Sequence, residues 1–169
     1  ATQEGLDAVI VNPGVILGAG SWHTGSGAIF KLAHKGMSIF TSGSIAVVDV
    51  RDVVLAMQGL MNSDLKNERY ILVGATLSYK EFTKELALAF DKNPPKKEIA
   101  EWKLLLLSSI DGLVSSLFGT KRKLQKANVK SLYTRSNYNA HKIEKALSFS
   151  FTTVSQTIKR VASDYKSEH

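Results

Sequence analysis

Between Gly14 and Gly43 the chain holds seven of its 12 glycines, and inside that stretch runs Gly18-Ala19-Gly20-Ser21-Trp22-His23-Thr24-Gly25-Ser26-Gly27. Glycine at that density lets a backbone take positive φ or approach a ligand closely, at an entropic cost that asks for a reason. Phosphate is the first ligand to consider. A dinucleotide fingerprint needs three glycines, yet Gly18-x-Gly20 is followed by His23 at the third position and Gly25-x-Gly27 by Phe30. A P-loop needs Lys and then Ser or Thr after its last Gly, whereas Gly25 is followed by Ser26-Gly27. Neither phosphate cradle is present. The loop nevertheless leaves the carboxyl end of an apolar run at Asn12-Pro13-Gly14, the place where open α/β sheets hold ligands, so it is expected to be a ligand loop. His23 fits a ligand contact and a solvent-exposed loop His equally well.

The other reactive side chains form no recognisable constellation. His23, His34, His141 and His169 have no Asp or Glu at helical ligand spacing that would complete a metal site, and no metal is expected. Asp49, Arg51 and Asp52 stand at the start of a helical pattern, where carboxylates satisfy orphan amides, so capping is a better reading than acid/base work. No G-x-S-x-G elbow nominates a hydrolase. Lys121-Arg122-Lys123, with Lys126 and Lys130, suggests an anionic partner. These cations also follow a helix expected to end at Gly119, whose dipole they complement, and no aromatic platform stands among them before Tyr133 and Tyr138. Nucleic acid is not the expected partner.

These residues hang on an alternation of strands and helices. Leu6 to Pro13 is apolar without alternation, as in a strand buried on both faces. A short helix is expected over Ala28 to Lys35, a strand over Ile45 to Val48, and a helix from Asp49 carrying Val50, Val53, Val54, Met57, Leu60 and Met61. Tyr70 to Gly74 is a third strand, and the capping box Ser78-Tyr79-Lys80-Glu81 opens a helix to about Lys92. Beyond Asn93-Pro94-Pro95 the pattern is helical: a long stripe of Ile99, Trp102, Leu105, Leu106, Leu113 and Leu117, then helices over Ala127 to Arg135 and Ala140 to Leu147. A terminal helix opens on Thr153-Val154-Ser155-Gln156, with Val154, Ile158, Val161 and Tyr165 facing inward. The order argues for α/β, with segments 1–93 and 94–169 as its two parts.

Charge follows the same division. The 169 residues carry a net +7, but Ala1 to Asn93 is close to neutral and Pro94 to His169 carries about +8. With 44% apolar residues the chain can bury a core, and no apolar run approaches the roughly 18 to 20 residues of a membrane span, so a membrane is not an expected partner. The absence of Cys removes disulfides and thiolate sites and fits a reducing, cytoplasmic setting.

Taken in order, Val9-Ile10-Val11-Asn12-Pro13-Gly14-Val15-Ile16-Leu17-Gly18 with Gly20-x-Trp22, Val48-Asp49-Val50-Arg51-Asp52-Val53, Glu68-Arg69-Tyr70-Ile71-Leu72, Leu77-Ser78, and Tyr138 to Leu147 before Phe149 resemble the C-terminal portion of the extended short-chain dehydrogenases/reductases. The nearest group is the NAD-dependent epimerase/dehydratase enzymes that are dihydroflavonol-reductase-like. The resemblance implies the last strands of a Rossmann-type parallel sheet plus a mainly helical C-terminal substrate lobe. It also implies NAD or NADP as cofactor of the full-length protein, and a small-molecule substrate. The dinucleotide fingerprint and the catalytic Tyr-x-x-x-Lys pair are then expected to be lacking here and to belong to a missing N-terminal Rossmann half, so that the fragment alone is inactive. Asn12, Pro13, Gly14 and Val15 would border the nicotinamide; Trp22, His23 and Ser26 would border the substrate. Ser148 and Ala19 stand where the family often has Gly and Pro. An isolated fragment with an uncovered strand edge is expected to self-associate. The alternative is a free-standing basic α/β binding module for an anionic partner.

Overall fold

The computed structural model describes residues 5, 7–118 and 126–169. Strand β1 (Val9–Pro13) leads through Gly14 into β2 (Val15–Leu17), and helix α1 (Gly25–Lys35) follows the Gly-rich loop. A two-residue β3 (Ile39–Phe40) precedes β4 (Ser44–Asp49), which runs directly into α2 (Val50–Met61). Then come β5 (Glu68–Leu72), β6 (Ala75–Ser78) and α3 (Tyr79–Ala89). The remainder is β7 (Lys97–Glu98) and four helices: α4 (Glu101–Phe118), α5 (Lys126–Ser131), α6 (His141–Leu147) and α7 (Val154–Glu168).

The strands form three small sheets. β1 pairs in parallel with β5, β2 pairs in parallel with β4 while β6 joins β4 antiparallel, and β3 pairs in parallel with β7. The expected α/β architecture is therefore present, with an antiparallel strand that the sequence reading did not contain. Gly14 is where the chain passes from one sheet to the next: its N–H is donated to the Leu72 carbonyl at 3.0 Å. A Cβ at Gly14 would stand 2.6 Å from the Ala46 carbonyl oxygen, so only glycine lets β1 and β4 come this close.

The register Ile10↔Arg69 and Asn12↔Ile71 puts these four residues on one face of the β1–β5 pair and Val9, Val11, Tyr70 and Leu72 on the other. The second face joins a core with Val53, Ala56 and Leu60 of α2 and Ile143 of α6. The first face is open, and Ile10, Asn12 and Pro13 are exposed. The expectation of a strand buried on both faces is thus corrected: its unbroken apolar run marks a strand of which this chain covers only one side. Leu6 lies outside the described residues.

A second core gathers around β2 and β4 from α1, α3 and α7, with Phe30, Phe82, Leu86, Phe90, Ile158 and Val161 at its centre. The inward stripe of α7 is as expected. Two predicted stripes are broader than what is buried. On α2, Val54, Met57 and Met61 of the expected stripe are exposed, as is Leu55 beside them, and on α4 Trp102 and Leu106 are exposed, at 64% and 56%. The side chains of Leu113 and Leu117, and the basic cluster at Lys121-Arg122-Lys123 with Gly119, lie outside the described residues.

Both capping boxes form. Ser78 Oγ accepts from the Glu81 N–H at 3.2 Å while Glu81 Oε2 accepts from the Ser78 N–H at 3.0 Å, and Thr153 and Gln156 do the same for α7. α5 ends at Ser131, short of the expected Arg135: Leu132, Tyr133 and Thr134 continue in turns, donating back to Val129, Lys130 and Ser131, and the carbonyls of Leu132 and Thr134 are taken up at the start of β4. Gly43 N–H donates to the Leu132 carbonyl at 3.1 Å, and Ser44 N–H to the Thr134 carbonyl at 3.0 Å.

One ionic cluster ties the strands to the last helix. Asp49, 3% exposed, caps α2 by accepting the Arg51 N–H at 2.8 Å; it also accepts from Thr157 Oγ1 at 2.8 Å and from Arg160 Nη2 at 2.7 Å on both oxygens. Burial alone would raise the Asp49 carboxyl, but the Arg160 guanidinium and the two further donors hold it below the usual carboxylate range. Asp52, one turn on, accepts both the N–H and the hydroxyl of Thr152 at 2.7 and 2.8 Å.

The Gly-rich loop is anchored by packing. Trp22 is 5% exposed, its indole N–H is donated to Glu168 Oε2 at 2.5 Å, and its ring meets Tyr165 edge-on at 4.9 Å. A Cβ at Gly27 would stand 2.1 Å from the Ser21 carbonyl oxygen, so glycine there lets the loop fold back onto α1.

Three stability measurements follow, each by urea unfolding. Replacing Trp22 with Ala is expected to cost about 3 to 5 kcal/mol, as for a large core aromatic. Arg160→Met leaves the Asp49 carboxylate buried without its cation and is expected to cost about 3 kcal/mol at neutral pH. Because the folded Asp49 titrates below its unfolded value, its contribution is present above the ordinary carboxylate range and lost as pH falls through the folded pKa, so the gap between wild type and Arg160→Met narrows on acidification. Ser148 sits at the end of α6 with φ of 49°, a left-handed conformation that favours glycine, and Ser148→Gly is expected to stabilise by about 1 kcal/mol.

Candidate functional site

A cavity of about 890 Å³ opens where β1 and β5 end. Its floor is the open face of that strand pair, with Asn12, Arg69, Ile71 and Val73, and it continues over Pro13, Gly14 and Val15 to Ser44, Ile45 and Ala46 of β4. The far wall is Tyr79 at the start of α3 together with Ser131, Thr134, Ser136 and Tyr138 from the end of α5 and the segment after it. A smaller cavity of about 280 Å³ shares Val73 and Tyr138 with it and reaches Asn137, Asn139, His141 and Glu144.

Local hydrogen bonding holds the wall in place. Ser44 Oγ donates to the Ser136 carbonyl at 3.1 Å and accepts the Ser136 N–H at 2.9 Å, and Arg135 Nε donates to the Ser42 carbonyl at 3.1 Å. Tyr79 is positioned by its own N–H, donated to the Gly43 carbonyl at 3.1 Å, and by the capping box one residue before it. Burial raises the Tyr79 hydroxyl above its ordinary value, so it remains a neutral donor and acceptor at physiological pH. It has no hydrogen-bond partner among the described residues.

The four residues expected beside a nicotinamide, Asn12, Pro13, Gly14 and Val15, all line the cavity. The three expected beside the substrate do not. Trp22 is in the core, His23 is exposed with Nδ1 3.0 Å from the Lys31 ammonium, and Ser26 is half-buried in the first turn of α1. In their place stand Arg69, Tyr79, Ser131, Thr134, Ser136 and Tyr138, which sequence reasoning did not select. The available signal was the helix start at Ser78-Tyr79; nothing in the spacing of residues 131–138 revealed that they would lie along β4. Among the described residues no three His, Asp or Glu gather in a metal-binding group, and no helix of these residues is long and apolar enough to cross a membrane.

The expectation that the chain lacks a Tyr-x-x-x-Lys spacing is corrected, for Tyr138 and Lys142 have it. The two are not stacked on one helix. Tyr138 precedes α6 and lines the cavity, while the Lys142 ammonium is held by Glu68 Oε2 at 2.5 Å and by the Arg69 carbonyl at 3.0 Å, over the ring of Tyr70. Lys142 is thereby committed to the β5–α6 contact, and it holds the Glu68 carboxyl below its ordinary value.

No family model matches the chain. It is 25% identical over 166 residues, 94% of its length, to a protein of Synechocystis sp. named "Putative dihydroflavonol 4-reductase", of which the match spans 48%. In structure it superposes on a nucleoside-diphosphate-sugar epimerase from Pseudomonas aeruginosa with a TM-score of 0.75 at 19% identity, covering 98% of this chain and 50% of that one. A UDP-glucose 4-epimerase from Thermus thermophilus, solved in complex with NAD, gives a TM-score of 0.66 at 17% identity and covers 98% and 48%. The chain thus spans about half the length of each. Its fold is that of the epimerases over this half, and its motif series and its match to the Synechocystis protein both make it resemble the C-terminal portion of an extended short-chain dehydrogenase/reductase.

Proposed function

We propose that this chain is the substrate-binding C-terminal part of an NAD(P)-dependent oxidoreductase or epimerase, and that a Rossmann half outside this sequence supplies the dinucleotide fingerprint and the catalytic Tyr-x-x-x-Lys pair. The observation that carries this reading is the cavity at the carboxyl ends of β1 and β5, where Asn12, Pro13, Gly14 and Val15 face Tyr79 and Tyr138. Two further features support it. β1 pairs only with β5 among the described strands, so its other edge is available to another parallel strand, and its open face is apolar at Ile10 and Ile71. The exposed Val54, Leu55, Met57 and Met61 of α2 offer a second surface that a covering half would bury, in line with relatives twice as long.

The residues present fit a nicotinamide. Pro13 and Val15 are exposed apolar groups on which a flat ring can lie, and the Asn12 amide stands free on the same floor to bond a carboxamide. NAD(P), when bound, supplies or accepts the hydride. In this scheme Tyr79 and Tyr138 orient the substrate through their hydroxyls, and the connector between α5 and α6 closes the cavity on the side away from the cofactor. Alone, the chain binds no dinucleotide tightly, and with its β1 edge uncovered it self-associates.

Calorimetric titration of the chain with NADH and with NADPH is expected to show no micromolar binding, and micromolar binding would place the dinucleotide site in this chain and overturn the proposal. If the reading frame continues upstream of Ala1, a Tyr-x-x-x-Lys pair on a helical pattern is expected in the segment just before it.

A further inference from the structure

The described cations of the basic half do not line the cavity. Among the described residues its single charged side chain comes from the neutral half, Arg69 on β5, and no carboxylate lines it. Arg69 is exposed on the open face, opposite Ile10, and its guanidinium forms no ion pair or hydrogen bond among the described residues. Of the cations around the strand pair, Lys142 is bound to Glu68 and Lys66 to Asp7 at 2.6 Å, whereas Arg69 keeps all five donors.

The hydroxyls around the cavity divide in the same sense. Ser44, Ser131 and Thr134 donate to the carbonyls of Ser136, Asn128 and Lys130, so their protons are already used. Tyr79, Tyr138 and Ser136 have hydroxyls with no partner among the described residues. The donors left for a ligand are therefore the Arg69 guanidinium, two phenols, the Ser136 hydroxyl and the Asn12 amide, with no carboxylate among the described lining residues to balance the charge.

We infer that the ligand portion lying against this chain carries an oxyanion, a carboxylate or a phosphoryl group, and that Arg69 is the specificity-determining residue that receives it. The planar fork of Arg suits either group, offering two parallel N–H···O bonds of the charge-assisted kind. An unpaired cation on an apolar strand face is costly to cover, so a ligand that neutralises it gains both the hydrogen bonds and relief of that cost. This inference rests on the cavity being the ligand site, as proposed above, but not on the identity of the cofactor.

The experiment is a titration of the ¹⁵N-labelled chain with inorganic phosphate and, separately, with malonate, at constant ionic strength against sodium chloride, following the Arg69 Nε–H signal. Saturable shifts at millimolar concentration are expected with at least one of the two. Saturation by phosphate alone assigns a phosphoryl group and by malonate alone a carboxylate. Arg69→Gln is expected to weaken the binding at least tenfold, read on the Tyr79 amide, and Arg69→Lys, which keeps the charge and loses the fork, several-fold. No saturation by either anion, or unchanged affinity in either variant, overturns the inference. The NADH titration reads a different event, so a dinucleotide site in this chain would sink the functional reading without touching the anion result, and an absent anion response would leave that reading standing.

Discussion

The structure turns on a buried carboxylate. Asp49 ends β4 and begins α2, so its position sets the angle at which the strand feeds the helix, and its bonds to Thr157 and Arg160 draw α7 onto that junction. A charge this deep is tolerable only with its cation and donors in place. The two cores meet there: Val47 belongs to the core with α1, α3 and α7, and Val48 to the core with α2 and α6. The cavity depends on the same strand, since Ser44, Ile45 and Ala46 form its middle and the segment after α5 is hydrogen-bonded to Ser44.

Most helices were legible because their signals are local. The Ser78 and Glu81 pair and the Thr153 and Gln156 pair each satisfy two amides within one turn, and the geometry is as the spacing predicts. Burial was less legible. An apolar periodicity states which residues avoid water, not whether this stretch of chain supplies what covers them, and so Ile10, Val54 and Met61 are apolar and exposed together. β6 is not legible in the sequence because Gly74-Ala75-Thr76 has the look of a turn, and Ala75 to Ser78 pair with β4 only through the tertiary fold.

The site was half legible for a related reason. Asn12 to Val15 are given by the family resemblance of the motif series, and they line the cavity. The density of glycines in the Gly-rich loop signals close backbone approach, which is what a ligand loop needs. The approach exists, but it is of Ser21 to Gly27 and it seats Trp22 in the core. Composition reports that a backbone comes close to something and is silent on whether that something is ligand or chain. Residues 131–138 became a wall only by lying along β4, a pairing about 90 residues long-range that no window of sequence contains.

Trp22 and Glu168 are separated by 146 positions and joined by one hydrogen bond. The core around β2 and β4 therefore cannot close until the final helix has been made and brought back. During synthesis the strands and α1 must wait, with Phe30, Phe82 and Phe90 accessible, while about the last half of the chain emerges. The arrival of α7 is therefore the step that completes this core, because it brings Ile158, Val161 and Tyr165 onto Phe30, Phe82 and Phe90.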